Sequence, residues 1–77
     1  MDWQDRIVAD PEILVGKPVV KGTRLSVEFV VGLAANGISH EAIAERWGLA
    51  AEDVRACLRY AQELVQAERV WPLARPA

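Results

Sequence analysis

Ser39-His40-Glu41-Ala42-Ile43-Ala44-Glu45-Arg46-Trp47-Gly48-Leu49-Ala50-Ala51-Glu52-Asp53-Val54-Arg55-Ala56-Cys57 is the stretch that decides the fold. Ser39 can accept a hydrogen bond from the first free N–H groups of a helix, and Glu41 sits in the first turn where the helix dipole favours an acid. Ile43, Ala44 and Trp47 then fall on one face before Gly48. Trp47-Gly48-Leu49-Ala50 has the length and the glycine of a helix-turn-helix connection. Such a unit needs a small residue where its two helices cross closely, and Ala44 stands there. It also needs a residue tolerant of positive φ four positions later, which Gly48 supplies. Trp47, Leu49, Val54 and Cys57 provide the apolar flanks. The next helix is predicted from about Ala51 to Ala67, with Val54, Cys57, Leu58, Ala61, Leu64 and Val65 facing inward at i, i+3, i+4 spacing.

Upstream, Ser26 is the expected cap of another helix. Val27, Val30, Val31 and Ala34 form its apolar stripe, and Asn36-Gly37 stops it. Before Ser26 the period is not helical. Arg6-Ile7-Val8-Ala9 reads as a short strand ended by Asp10-Pro11, and residues 13–27 read as extended pieces joined at Gly16 and Gly22. Pro18 cannot donate to a ladder, so a strand there is an edge or begins after it. Downstream, Pro72 interrupts any helix, leaving an irregular tail. The prediction is a mainly α fold, a three-helix helix-turn-helix bundle preceded by a short β arm. It is one domain over residues 1–77, with the arm at about 1–25, the bundle at about 26–67 and the tail at 68–77.

A chain of 77 residues has room for one core, and 52% hydrophobic with 26% charged residues is the composition of a folded domain. A single cysteine and a single histidine exclude an intrachain disulfide and a structural zinc site. Domains this small often gain stability by association. A homodimer is therefore expected, built from strand edges around Arg6-Ile7-Val8-Ala9 and residues 19–25. Met1-Asp2-Trp3-Gln4-Asp5 is acidic where a signal peptide is basic, and the longest apolar run, residues 29–35, is too short to span a bilayer. A cytoplasmic location without a membrane partner is expected. The formal charge of -2 means that any nucleic-acid binding must come from a local patch.

In a helix-turn-helix the start of the second helix enters the major groove, so Ala50, Ala51, Glu52, Arg55, Ala56 and Arg59 would face DNA. Arg55 and Arg59, four apart, suit contacts to guanine or phosphate. The competing reading pairs them with Glu52 and Glu63 as a solvated face. Lys17, Lys21 and Arg24 form a second basic candidate, either a hairpin that supports DNA backbone contacts or turn glycines with solvated lysines. Gly16-Lys17 is no phosphate-binding loop, because Pro18 occupies the Ser/Thr place. His40 reads as a surface residue, Cys57 as a buried thiol, and Glu41 with Glu45 as an acidic face. No catalytic residue, metal or cofactor is expected, and the protein is read as no enzyme. In the tail, Arg69, Trp71 and Leu73 are candidates to dock on a partner, the other reading being that Trp71 folds back on the first helix.

The run Asp10-Pro11-Glu12-Ile13-Leu14-Val15-Gly16-Lys17-Pro18-Val19-Val20-Lys21-Gly22-Thr23-Arg24-Leu25-Ser26-Val27, followed by Asn36-Gly37 and by Leu49 with Glu52-Asp53-Val54, resembles the domain of unknown function 433 family. The Gly-Lys-Pro-Val-Val-Lys-Gly-Thr-Arg block carries most of that resemblance. It implies a homeodomain-like trihelical fold and an antitoxin of a type II toxin-antitoxin pair, with a PIN-like ribonuclease toxin as cognate partner and operator DNA as a second. The alternative is a protein-interaction module that uses the helix-turn-helix only as scaffold. The family often has Ser or Thr where this chain has Ala50, so the start of the third helix is expected to fray.

Overall fold

A computed structural model describes residues 3–67. A 3-10 turn at Trp3–Asp5 leads into strand β1 (Ile7–Ala9). A second such turn at Leu14–Gly16 precedes strand β2 (Pro18–Val20), and helices α1 (Val27–Ala35), α2 (His40–Trp47) and α3 (Ala51–Ala67) follow. The strands are antiparallel, pairing Ile7 with Val20, Val8 with Val19 and Ala9 with Pro18. Pro18 thus opens its strand, as its missing N–H requires. The fold is mainly α, a three-helix bundle preceded by a two-stranded hairpin.

The helix boundaries follow from their caps. Ser26 Oγ accepts from the Phe29 N–H at 3.0 Å and Ser39 Oγ from the Ala42 N–H at 3.1 Å. Past α1, Gly37 at φ 90° lets its own N–H reach the Ala34 carbonyl and that of Ile38 reach Leu33. Gly48, at φ 68°, ends α2 and turns the Leu49 N–H back to the Ala44 carbonyl at 2.8 Å.

The hairpin is not an appendage. Ile7, Val19 and Val20 are buried along with Val27, Val30, Ile43, Val54, Ala56 and Cys57. Each large aliphatic side chain so buried contributes about 1.5–3 kcal/mol relative to exposure. The hairpin therefore completes the core. The backbone of β2 is further engaged, since Val19 bridges Ser26 and the Val20 N–H donates to the Leu25 carbonyl at 2.9 Å.

Two inward positions predicted in α3 are corrected. Leu64 is 51% and Val65 62% exposed. At 1.5 Å per residue the seventeen residues of α3 run about 25 Å against about 13 Å for the nine of α1, so α1 cannot cover the last turns of α3. The segment before β2 holds another departure. Leu14 and Val15 have φ of 50° and 55°, left-handed values that non-glycine residues, and above all β-branched ones such as Val15, rarely adopt. Ile13 donates to the Asp10 carbonyl, and the Glu12 N–H donates to Asp10 Oδ1 at 2.9 Å, which fixes the entry into this turn.

Candidate functional site

The start of α3 has no capping side chain at Ala50, yet its N-terminus is held. Asp53, three residues into the helix, accepts the Ala50 N–H on Oδ2 at 2.9 Å. That is the returning half of a capping box. Its other oxygen, Oδ1, pairs with Arg6 Nη1 at 2.8 Å. The expected fraying is thus countered by a carboxylate that is itself fixed from the N-terminal segment. Asp53 is committed to the fold and does not stand free to oppose a phosphate.

The same segment covers a whole face of α3. Trp3 packs edge-on against Tyr60, with ring centroids 4.7 Å apart, and its Nε1–H donates to Glu63 Oε1 at 2.8 Å. Asp53, Ala56, Tyr60 and Glu63 recur at helical spacing, so the Trp3 to Ile7 segment lies along them. Ala56, expected to face DNA, is therefore buried. The sequence offered no local signal for this cover, because the partners are 47 and 60 residues apart.

Arg55 and Arg59 do stand outward, one turn apart, and with Leu58 and Gln62 they line a shallow depression on the outer face of α3. The competing ion pairs with Glu52 and Glu63 do not form. Among the described residues the ion pairs are Arg6 with Asp53 and Lys17 with Glu28. Glu63 is turned to Trp3, and Arg59 Nη1 donates to Gln62 Oε1 at 3.2 Å, which steadies its guanidinium. Ala51 and Glu52 are exposed in the first turn of α3. On α2, Arg46 lies over Trp47 at 5.5 Å, and Trp47 meets Phe29 edge-on at 5.6 Å, so this arginine serves the contact between α1 and α2.

Lys17, Lys21 and Arg24 do not make one patch. Lys17 pairs with Glu28 of α1 at 3.1 Å and borders a groove that also includes Tyr60, Ala61 and Leu64. Lys21 lies instead at the start of α3, lining a depression with Asp5, Arg6 and Asp53. Arg24 is exposed on the loop after β2. That loop accounts for the Lys-Gly-Thr-Arg residues structurally. Gly22 takes φ 84°, while Thr23 Oγ1 donates to the Val20 carbonyl at 2.8 Å and accepts from the Leu25 N–H at 3.0 Å.

His40 is half-buried at the start of α2, and Glu41 and Glu45 are exposed. Cys57 is buried, and burial first and the Asp53 charge second push its thiol up to about 12. No three His, Cys, Asp or Glu side chains among the described residues gather to hold a metal, and no helix there is long and apolar enough to cross a membrane. Arg69, Trp71 and Leu73 lie outside the described residues.

Fold and site together define a small three-helix protein whose last two helices form a helix-turn-helix unit with two outward arginines on the second. Residues 7–61 match the family described as "Protein of unknown function (DUF433)", and the chain belongs to that family. It is also similar to the uncharacterized protein y4eO of Sinorhizobium fredii, with 42% identity over 57 residues. That alignment takes in 73% of this chain and 26% of the relative, so the match spans about a quarter of the relative's length. No solved structure matches.

Proposed function

We propose that this chain is a non-enzymatic, cytoplasmic antitoxin of a type II toxin-antitoxin pair, which contacts operator DNA through Arg55 and Arg59 and neutralises a PIN-like ribonuclease toxin through another surface. The observation that carries the DNA half is the outward pair of guanidinium groups that no acid among the described residues pairs with, two of the nearby acids being engaged elsewhere. Asp53 is held by Arg6 and the Ala50 N–H, and Glu63 by Trp3. Two unneutralised arginines one turn apart on the second helix of a helix-turn-helix are placed for phosphate or guanine contacts. The toxin half rests on the family's reputation and on the gain in stability that association offers a chain this small.

Ala56 is buried and removed from that face, and the exposed Glu52 one turn ahead of Arg55 opposes a phosphate. That acid favours a second reading, in which the same arginines bind an acidic protein surface and the helix-turn-helix is scaffold. Titration of the chain's own promoter DNA at several salt concentrations separates the two. Replacing Arg55 and Arg59 together with Ala should lower the salt slope by about two, roughly one per phosphate contact. Unchanged DNA affinity with an unchanged circular dichroism spectrum removes the groove-binding reading. Capture of a PIN-like ribonuclease without any DNA binding supports the scaffold reading instead.

A further inference from the structure

The apolar stripe of α3 runs on past its cover. Val54 and Cys57 are buried, but Ala61 is half-buried, and Leu64 and Val65 are more than half exposed. Ala61 and Leu64 join Val27, Val31, Gly32 and Tyr60 around an apolar groove of about 500 Å³ between α1 and the second half of α3. We propose that the segment Val70-Trp71-Pro72-Leu73 of the same chain folds back into this groove, with the Trp71 indole against Gly32 and Leu64.

Gly32 points to a bulky occupant. It stands inside α1, where glycine weakens a helix relative to alanine, and its φ is not positive, so no turn requires it. Close packing among the described residues does not require it either, because a β-carbon there would meet nothing within 4 Å. Bare backbone in the wall of the groove lets a flat ring approach closely. The tail is the occupant within reach. Residues 68–77 follow directly on Ala67, which lies one helical turn past Leu64, about 4.5 Å along the axis. The residues 68–71 span up to about 13 Å when extended, enough to turn and bring Trp71 back to that depth. Pro72 stops a helix and biases Trp71 toward extended backbone, in which Trp71 and Leu73 face the same side. Residues 70–73 carry no charge, which suits an apolar groove. A tethered segment also acts at an effective concentration of about millimolar, an advantage that no free occupant has. Arg59 and Ala61 are two residues apart, about 200° around the helix, so the guanidinium groups stay clear of the groove. The inference is independent of whether those groups meet DNA or a protein.

Nuclear Overhauser spectra of the full chain test this. The Trp71 ring should show contacts to the methyl groups of Val31 and Leu64. In a mixture of isotope-labelled and unlabelled chains, filtered for contacts between chains, those signals should be absent. Urea unfolding supplies a second readout. Trp71→Ala should lower the folding equilibrium constant by about tenfold or more, the factor for uncovering one large apolar side chain, and the losses in Trp71→Ala and Leu64→Ala should not add. Gly32→Leu reads the groove itself. It should raise stability in the Trp71→Ala chain, where the groove is open, and lower it in the otherwise unaltered chain, where it displaces the ring. Absence of the Trp71 contacts, or their appearance between chains, overturns the proposal. Additive losses, or a Gly32→Leu gain in both backgrounds, overturn it too.

Discussion

Replacing Asp53 with Ala tests whether one carboxylate holds the start of α3. The change removes the acceptor for the Ala50 N–H, a capping interaction worth about 1 kcal/mol. It also removes the 2.8 Å pair with Arg6, whose side chains are 37% and 17% exposed for Arg6 and Asp53. Solvent screening limits that pair to about 0.5–1 kcal/mol. The sum is about 1.5–2 kcal/mol, and at about 4–8 °C per kcal/mol for a domain of this size the Tm should fall by about 10 °C. Thermal and urea unfolding followed by circular dichroism measure it. Glu52→Ala is the control. It removes an acid from the same helical turn without either contact, so only the dipole term of a few tenths of a kcal/mol is lost. A double-mutant cycle with Arg6→Ala should return a coupling of about 0.5–1 kcal/mol. Equal losses in Asp53→Ala and Glu52→Ala, or a coupling of zero, would refute the reasoning.

Two further perturbations follow from the same structure. Because folding raises the Cys57 thiol from 9.0 to about 12, its contribution to stability is complete below pH 9 and is lost as pH rises from 9 toward 12. One unit of that range is worth about 1.4 kcal/mol, so between pH 8 and pH 10 the wild type should lose about that much more stability than Cys57→Ala; parallel pH slopes in urea titrations would contradict it. Val15 is left-handed yet 92% exposed, so Val15→Gly gives up almost no packing. Relief of the left-handed conformation should outweigh the added chain entropy of glycine and raise stability by about 0.5–1 kcal/mol; a fall in Tm would count against the strain at this position.

The elements that could be read from the sequence are those whose signals are local. Ser26, Ser39 and Gly48 act within a few residues of where they stand, and each helix begins or ends where its cap predicts. The outward placement of Arg55 and Arg59 follows from periodicity alone. What could not be read is which distant segment claims the second face of α3. Periodicity shows that Ala56 lies off the main stripe, and an off-stripe position reads as solvent-facing until something docks on it. Trp3 and Arg6 do so from the other end of the chain, through contacts that leave no mark in the spacing of either segment. Leu64 and Val65 erred in the opposite direction. Their spacing marks a face made to be covered, but the spacing says nothing about whether α1 is long enough to cover it. The left-handed Leu14 and Val15 were equally silent, since their residue types disfavour the conformation they adopt and only Gly16 hinted at a turn.

The clasp of the Trp3 to Ile7 segment over α3 also sets an order of events during synthesis. These residues are synthesised well before Asp53, Tyr60 and Glu63, which receive Arg6 and Trp3. Until then Ile7, Val19 and Val20 lack the Val54, Ala56 and Cys57 that α3 brings to their core, and a two-stranded hairpin alone is at best marginal in water. The nascent chain should therefore stay open to proteases and chaperones until α3 has emerged, and then close in one step, a chronology that ribosome-bound chains halted before and after α3 would reveal by their protease sensitivity.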